Sequence, residues 1–265
     1  MVHCSHMTNL EESVTFRDKT GNLIVGLLAT PAGGTDCLAV LCHGFLSNKN
    51  SATNKALTAM LVPQGVATFR FDFFGHGESS GPFERLIVGT AVQQTLAALT
   101  LVGSRGYRKL GLVGSSFGGL VSILAAAECG ELACLALKCP VSDFPEMLRE
   151  EFGPLGMRQW QAANTIPNVT GGEGRIRLAF SFYEDCMHHL VYPAAKTLTV
   201  PTLIVHGDAD EYVPVAQSLR LQEALAGEIS CVILPGADHH FSQPAHFREM
   251  IAHIGRWLVN HLRQS

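Results

Sequence analysis

Several signatures are missing from this 265-residue chain. Its eight cysteines, Cys4, Cys37, Cys42, Cys129, Cys134, Cys139, Cys186 and Cys231, form no CxxC pair and follow no metal-ligand spacing. A cysteine-based metal centre is therefore not expected. Most of them lie in apolar runs such as "AVLCHG" and "CLALKC", where buried free thiols are expected, and that fits a reducing compartment, read here as the cytoplasm. Basic stripes and basic amphipathic helices are absent at a net charge of -4 and a pI near 6.3. Neither nucleic acid nor a membrane surface is an expected partner. The apolar stretch "NLIVGLLA" is too short to span a bilayer. The N-terminal "MVHCSHMTNLEES" has no basic region followed by an apolar run, so no signal peptide is expected, and Met7 is a second candidate start. No internal repeat, low-complexity tract or signal of oligomeric state is visible.

What is present is a core-forming composition. Hydrophobic residues make up 47% and charged residues 16%, which suits a well-packed globule. Apolar runs rich in β-formers alternate with helical patterns. "SVTFRD" and "NLIVGLLA" flank the turn-like "KTGN" and read as a hairpin. "CLAVLCHG", "VATFRFD", "KLGLVGS", "CLALKCP", "TLIVHG" and "SCVILPG" read as strands, most with a helical segment after them. Strands without polar alternation are buried on both faces, as in parallel sheets covered by helices. The expected fold is α/β: a three-layer, doubly wound, mostly parallel sheet in a single domain over 1–265. One segment, 143–200, breaks the rhythm with "FGPLGM", "TIPNVTGGEGR" and "AFSFYEDCMHHLVYP", and reads as a lid inserted over the sheet.

The chemistry starts at "LVGSSFGGL". Gly114-Ser115-Ser116-Phe117-Gly118 fits G-x-S-x-G centred on Ser116, between an apolar strand and an amphipathic helix. A sharp strand-to-helix turn lifts the central hydroxyl clear, and the glycines keep side chains from colliding. Ser115 falls one residue too early and belongs to the strand end. The Phe117 N–H opens the helix and can face a developing oxyanion. A serine nucleophile needs a general base, and the base needs an orienting acid. Both belong on loops at the C-terminal ends of later strands, where "HGDADEYVP" and "GADHHF" stand. Each offers a doubled residue, Asp208 or Asp210 and His239 or His240. Asp208 directly follows the strand's glycine and suits local backbone bonding. His240 would point away from His239 in an extended loop. His43, His76 and His206 read as hydrogen-bonded structural residues, and the adjacent pair His188-His189 lacks support as a metal site.

Together these motifs resemble the α/β-hydrolase superfamily, in its serine-hydrolase branch of esterases, lipases and S33-type peptidases. The resemblance covers nearly the whole chain. "LCHGF" resembles the family's oxyanion segment, implying that the Phe45 and Phe117 N–H groups form the oxyanion hole. "FDFFGHGESSG" resembles its D-x-x-G-x-G-x-S turn at Asp72, Gly75, Gly77 and Ser79. "VPTLIVHGDADEYVP" and "LPGADHHF" are similar to its acid and histidine segments, which selects Asp210 and His239. The resemblance implies acyl transfer through a Ser116–His239–Asp210 triad and an acyl-enzyme, without metal or cofactor. The lid's placement is similar to that of feruloyl (cinnamoyl) esterases. The expected activity is a carboxylesterase acting on small to medium esters, aromatic acyl esters included. Phe152, Met157, Trp160, Phe180, Phe182 and Tyr183 are candidates to line an acyl pocket, or else to form the lid's own core. A thioesterase is an alternative. So is an exopeptidase, for which Glu146, Glu150, Glu151 and Glu184 could hold a substrate ammonium. A binding module without catalysis is the remaining class, and it normally lacks a triad member.

Overall fold

The computed structural model describes residues 10–167 and 175–263. Cys4, the candidate start at Met7 and most of "TIPNVTGGEGR" lie outside the described residues. The chain opens with β1 (Leu10–Arg17), β2 (Leu23–Thr30) and β3 (Cys37–Cys42). Then come α1 (Ala52–Leu61), β4 (Ala67–Phe71), α2 (Val88–Ser104), β5 (Lys109–Ser115), α3 (Phe117–Cys129) and β6 (Cys134–Lys138). The connection to the next sheet strand contains α4 (Phe144–Ala163), β7 (Thr165–Pro167), β8 (Arg175–Arg177), α5 (Ser181–Cys186) and α6 (Val191–Ala195). The chain closes with β9 (Thr202–Gly207), α7 (Val215–Ala224), β10 (Ile229–Leu234) and α8 (Pro244–Arg263).

Eight strands form one sheet in the order β1-β2-β4-β3-β5-β6-β9-β10. The first two make the antiparallel hairpin that "KTGN" announces, and β2 pairs antiparallel with β4. From β4 to β10 every pairing is parallel. The order reverses at β3, so the C-terminal ends of β3, β5, β6, β9 and β10 converge on one edge. That is where a doubly wound sheet places its site. The central strands β3, β4, β6 and β9 are buried along their whole length. This explains why their sequences lack alternation.

Helices cover both faces. One apolar core joins α2, α3 and the segment between β6 and β9 to the sheet; a second lies under α1 and α8. α8 buries Met250, Ile251, Ile254, Leu258 and Leu262, a stripe at helical spacing along one face. Among the described residues no helix is long and apolar enough to cross a membrane. α4 has an internal break: Gly153 sits at φ 58°, ψ 177° and Pro154 follows it. Proline has no N–H to continue the helix and its ring clashes with the preceding turn, so the axis bends there.

Candidate active site

β5 runs into α3 through a single residue. Ser116 is held at φ 54°, ψ -114°, a left-handed strain for a residue with a side chain. Backbone bonds fix it there. Its N–H donates to Lys138 O at 2.8 Å, and its carbonyl accepts from Gly119 N at 2.8 Å and Val141 N at 3.2 Å. The glycines follow from contact distances. A Cβ on Gly114 would lie 2.3 Å from Gly118 O, and one on Gly118 would lie 2.4 Å from Cys42 O and 2.5 Å from His43 O. The second clash is with the β3 exit, which sequence spacing did not reveal. Ser115 ends β5 opposite Lys138, and its Oγ is buried with no hydrogen-bond partner among the described residues.

The acid and the histidine meet across the ends of β9 and β10. Asp210 Oδ2 accepts from His239 Nδ1 at 2.7 Å. Its other oxygen, Oδ1, accepts from Tyr212 N at 2.9 Å and Val213 N at 2.8 Å, so the D-x-x-V turn aims the carboxylate. His206 Nε2 stands 3.1 Å from Oδ2 and 3.0 Å from Val213 O, and its Nδ1 is 2.7 Å from Ser218 Oγ. His206 is thus satisfied at the strand end, as its sequence position suggested, but it also touches the acid. The loops come this close because Gly207 lacks a side chain: a Cβ there would be 2.0 Å from Ala237 O.

Charges follow this geometry. Burial alone would raise the Asp210 carboxyl, but bonds from His206 and His239 outweigh it and hold the acid far below the usual carboxylate range. Burial lowers the His239 imidazole; Asp210 pulls it up, while Lys138 and His240 push it down, and the net direction is down. A neutral ring with Nδ1–H on the acid leaves Nε2 free to accept a proton.

The decoys have other partners. Asp208 is exposed and its Oδ1 accepts from Gly236 N at 2.6 Å, which ties the two loops together. His240 is exposed and meets the Tyr212 ring edge-on, with centroids 5.7 Å apart. His189 lies 3.4 Å from Asp185.

The β3 exit passes over the serine. A Cβ on Gly44 would be 3.6 Å from Ser116 Cβ, so the following Phe45 backbone borders the hydroxyl. Neither the Phe45 nor the Phe117 N–H has a protein acceptor among the described residues. His43 is buried and accepts from Phe73 N at 3.1 Å; burial lowers its pKa to about 3, so it stays neutral. His76 Nε2 bonds to Phe45 O. Lys49 reaches Asp72 at 2.5 Å and also Glu78, while Ser79 Oγ donates to Asp72 O at 2.7 Å. The D-x-x-G-x-G-x-S turn therefore clamps the oxyanion segment to the end of β4.

A cleft of about 550 Å³ opens over this edge, and both Ser116 and His239 line it. Val141, Phe144, Met147, Leu148 and Ile166 line it with apolar groups, Glu151 joins them from α4, and Ser47, Ser51 and Thr53 line it from the β3 exit and the start of α1. The six aromatic and methionine candidates do not line it. Trp160 and Phe182 are fully buried, and Phe152, Phe180 and Tyr183 close around Trp160. Phe152, Trp160, Phe180 and Tyr183 form an aromatic cluster within the segment between β6 and β9, whereas Phe182 packs against Phe45, Phe117 and Phe144. Cys139, Asp210 and His239 offer ligand atoms within 4.8 Å of one another. The acid–histidine bond already uses two of these ligand groups, and burial raises the Cys139 thiol to about 12, so the set suits a proton relay better than a metal.

Sheet, strained serine turn and acid–histidine pair together define a hydrolase of the α/β-hydrolase fold. Residues 54–265 match the prolyl oligopeptidase family, and the chain belongs to that family. Palmitoyl-protein thioesterase ABHD10, mitochondrial, of Mus musculus is 27% identical over 223 residues, covering 81% of this chain and 73% of that protein. A monoacylglycerol lipase of Mycolicibacterium smegmatis is 23% identical, covering 94% of this chain and 97% of its own. The structure of Est1E from Butyrivibrio proteoclasticus with bound ferulic acid superposes with a TM-score of 0.83 at 24% identity, covering 95% of this chain and all of that one. At that identity the likeness is one of fold.

Proposed function

We propose that this chain is a serine hydrolase cleaving carboxylic esters and thioesters of small to medium acyl groups, aromatic ones included. The observation that carries the reading is the 2.7 Å Asp210–His239 bond beside a strained Ser116 in a single cleft. Ser116 Oγ attacks the acyl carbonyl while His239 Nε2 takes its proton. Asp210 holds the tautomer and stabilises the imidazolium. The Phe45 and Phe117 N–H groups face the tetrahedral oxygen. His239 then protonates the leaving alkoxide or thiolate; a water deprotonated by the same imidazole attacks the acyl-enzyme, and His239 returns that proton to Ser116 Oγ as the acid leaves. The acyl chain lies along Phe144, Met147 and Leu148, and the leaving group faces Ser47, Ser51 and Thr53. The thioester arm draws on the mouse relative's name, and the chemistry is the same at the serine. Of the four glutamates weighed for a substrate ammonium, Glu151 lines the cleft and is placed for the exopeptidase alternative, whereas Glu146 pairs with Arg220. We also propose a reducing compartment, the cytoplasm by the sequence reading, since all seven described cysteines are free thiols. The mouse relative's name assigns that protein to the mitochondrion.

A fluorophosphonate probe tests the chemistry. It should label the wild type and not Ser116→Ala; equal labelling would refute the assignment and favour a binding module. A panel of acetyl to octanoyl, feruloyl and acyl-thioester substrates, with aminoacyl amides, tests the substrate class. Turnover of the amides alone would overturn the ester reading.

A further inference from the structure

A buried cation beside the acid–histidine pair has no counter-charge. Lys138, the last residue of β6, is 5% exposed and forms no ion pair among the described residues. Burying an ammonium this way is costly unless other groups repay it. Its Nζ donates to the His239 carbonyl at 2.7 Å and lies 5.2 Å from the centroid of the Phe241 ring. Its own carbonyl accepts the Ser116 N–H at 2.8 Å. One residue therefore bonds to the backbones of both Ser116 and His239. The chain around it is pinned: Cys139 follows at φ 42° and its N–H donates to Val205 O at 2.9 Å.

We propose that Lys138 is a positioning residue: it fixes the His239 loop against the serine turn and biases the imidazole toward its neutral, proton-accepting form. This rests on the reading of Ser116 and His239 as nucleophile and base. Among the groups facing His239, Lys138 and His240 act in this direction, and Lys138 is the larger influence. The β9–α7 loop brings the Asp210 carboxylate to Nδ1, Glu211 Oε2 to the backbone N–H at 3.2 Å, and the Tyr212 ring at 5.4 Å. His240 on its own loop lies 5.4 Å away, and β6 contributes Lys138 and the Cys139 thiol. The Asp210 carboxylate favours the imidazolium, and Lys138, ahead of His240, acts against it. Burial of the ring and the Lys138 charge push its pKa the same way, down.

The test compares Lys138→Met, which removes charge and hydrogen bond, with Lys138→Gln, which keeps a donor without charge, and Lys138→Arg, which keeps the charge. The rate of fluorophosphonate labelling is followed against pH, with kcat/KM on p-nitrophenyl butyrate beside it. Both neutral variants should move the acid limb to higher pH by about one unit, and Lys138→Arg should leave it in place. Lys138→Met should also lose about tenfold in kcat at the plateau with little change in KM. An unmoved acid limb in a folded neutral variant, at whatever rate, would reduce Lys138 to a structural residue and overturn the proposal. Labelling that persists in Ser116→Ala would instead defeat the triad reading, so the two failures are distinguishable.

Discussion

Gly118→Ala puts the geometry of the serine turn at risk with one methyl group. The new Cβ would stand 2.4 Å from Cys42 O and 2.5 Å from His43 O. Ordinary contact begins near 3.4 Å, so α3 and the β3 exit must separate by about 1 Å. Both obstacles are backbone, so no rotamer change relieves them. The β3 exit leads straight into Gly44 and Phe45, and α3 begins at Phe117. The displacement therefore falls between the two N–H groups assigned to the oxyanion. Overpacking of this kind costs about 1–3 kcal/mol of stability. A 1 Å misplacement of catalytic groups costs on the order of 100-fold in rate. Urea unfolding should report the first loss, and kcat on p-nitrophenyl butyrate at unchanged KM the second. Gly103→Ala is the control: α2 leaves open space around that position, and the variant should be neutral or gain up to about 1 kcal/mol. If Gly118→Ala kept wild-type kcat and stability, the strained-turn account would be wrong.

Other outcomes follow from the same contacts. Asp210→Asn should lower kcat by about 10³–10⁴-fold, as expected for an imidazole held in the wrong tautomer, while Asp208→Asn should cost little; steady-state kinetics of the pair would expose a reversed order. Lys49→Met strands the fully buried Asp72 carboxylate and should destabilise by about 3–5 kcal/mol in urea titrations. The Asp185–His189 pair joins α5 to the N-terminus of α2 through Gly89 N at 3.0 Å. Burial would raise the Asp185 carboxyl, but its bond with His189 outweighs it and holds it below 3.8; the same bond raises His189 above 6.5. The Asp185 share of stability is present above 3.8 and lost as pH falls through its lowered value; the His189 share is present below 6.5 and lost as pH rises through its raised one. Urea midpoints of wild type minus His189→Ala should therefore shrink as pH climbs from 6 to 8, and a constant difference would refute the pairing.

What the sequence made legible was decided by local rules. Uniform apolar runs give buried parallel strands, and where a glycine closes the run, at Gly114, Gly207 and Gly236, the offset from it picks out Ser116, Asp210 and His239, the last two of which are hydrogen-bonded to each other. Asp208 accepts from Gly236 N instead, whereas His240 lines the same cleft with its ring 5.4 Å from that of His239. Residues whose roles depend on packing between distant segments were not legible. Trp160 and Phe182 carry the same apolar signal whether they line a cleft or fill a core; what decides is ring contact with distant residues, Trp160 with Phe180 and Phe182 with Phe45 and Phe117, and composition does not record it. Lys138 ends an apolar strand as an unremarkable charge, yet it bonds to a carbonyl 101 residues away. Glu211 next to the acid likewise holds the His239 N–H across 28 residues. Contacts of that range leave no spacing to read. A signal was available for Lys138 all the same: a lysine directly after "CLAL", in a strand with no polar alternation, has to be buried. A buried charge needs an explanation, and here the residue bonds to the backbones of both Ser116 and His239.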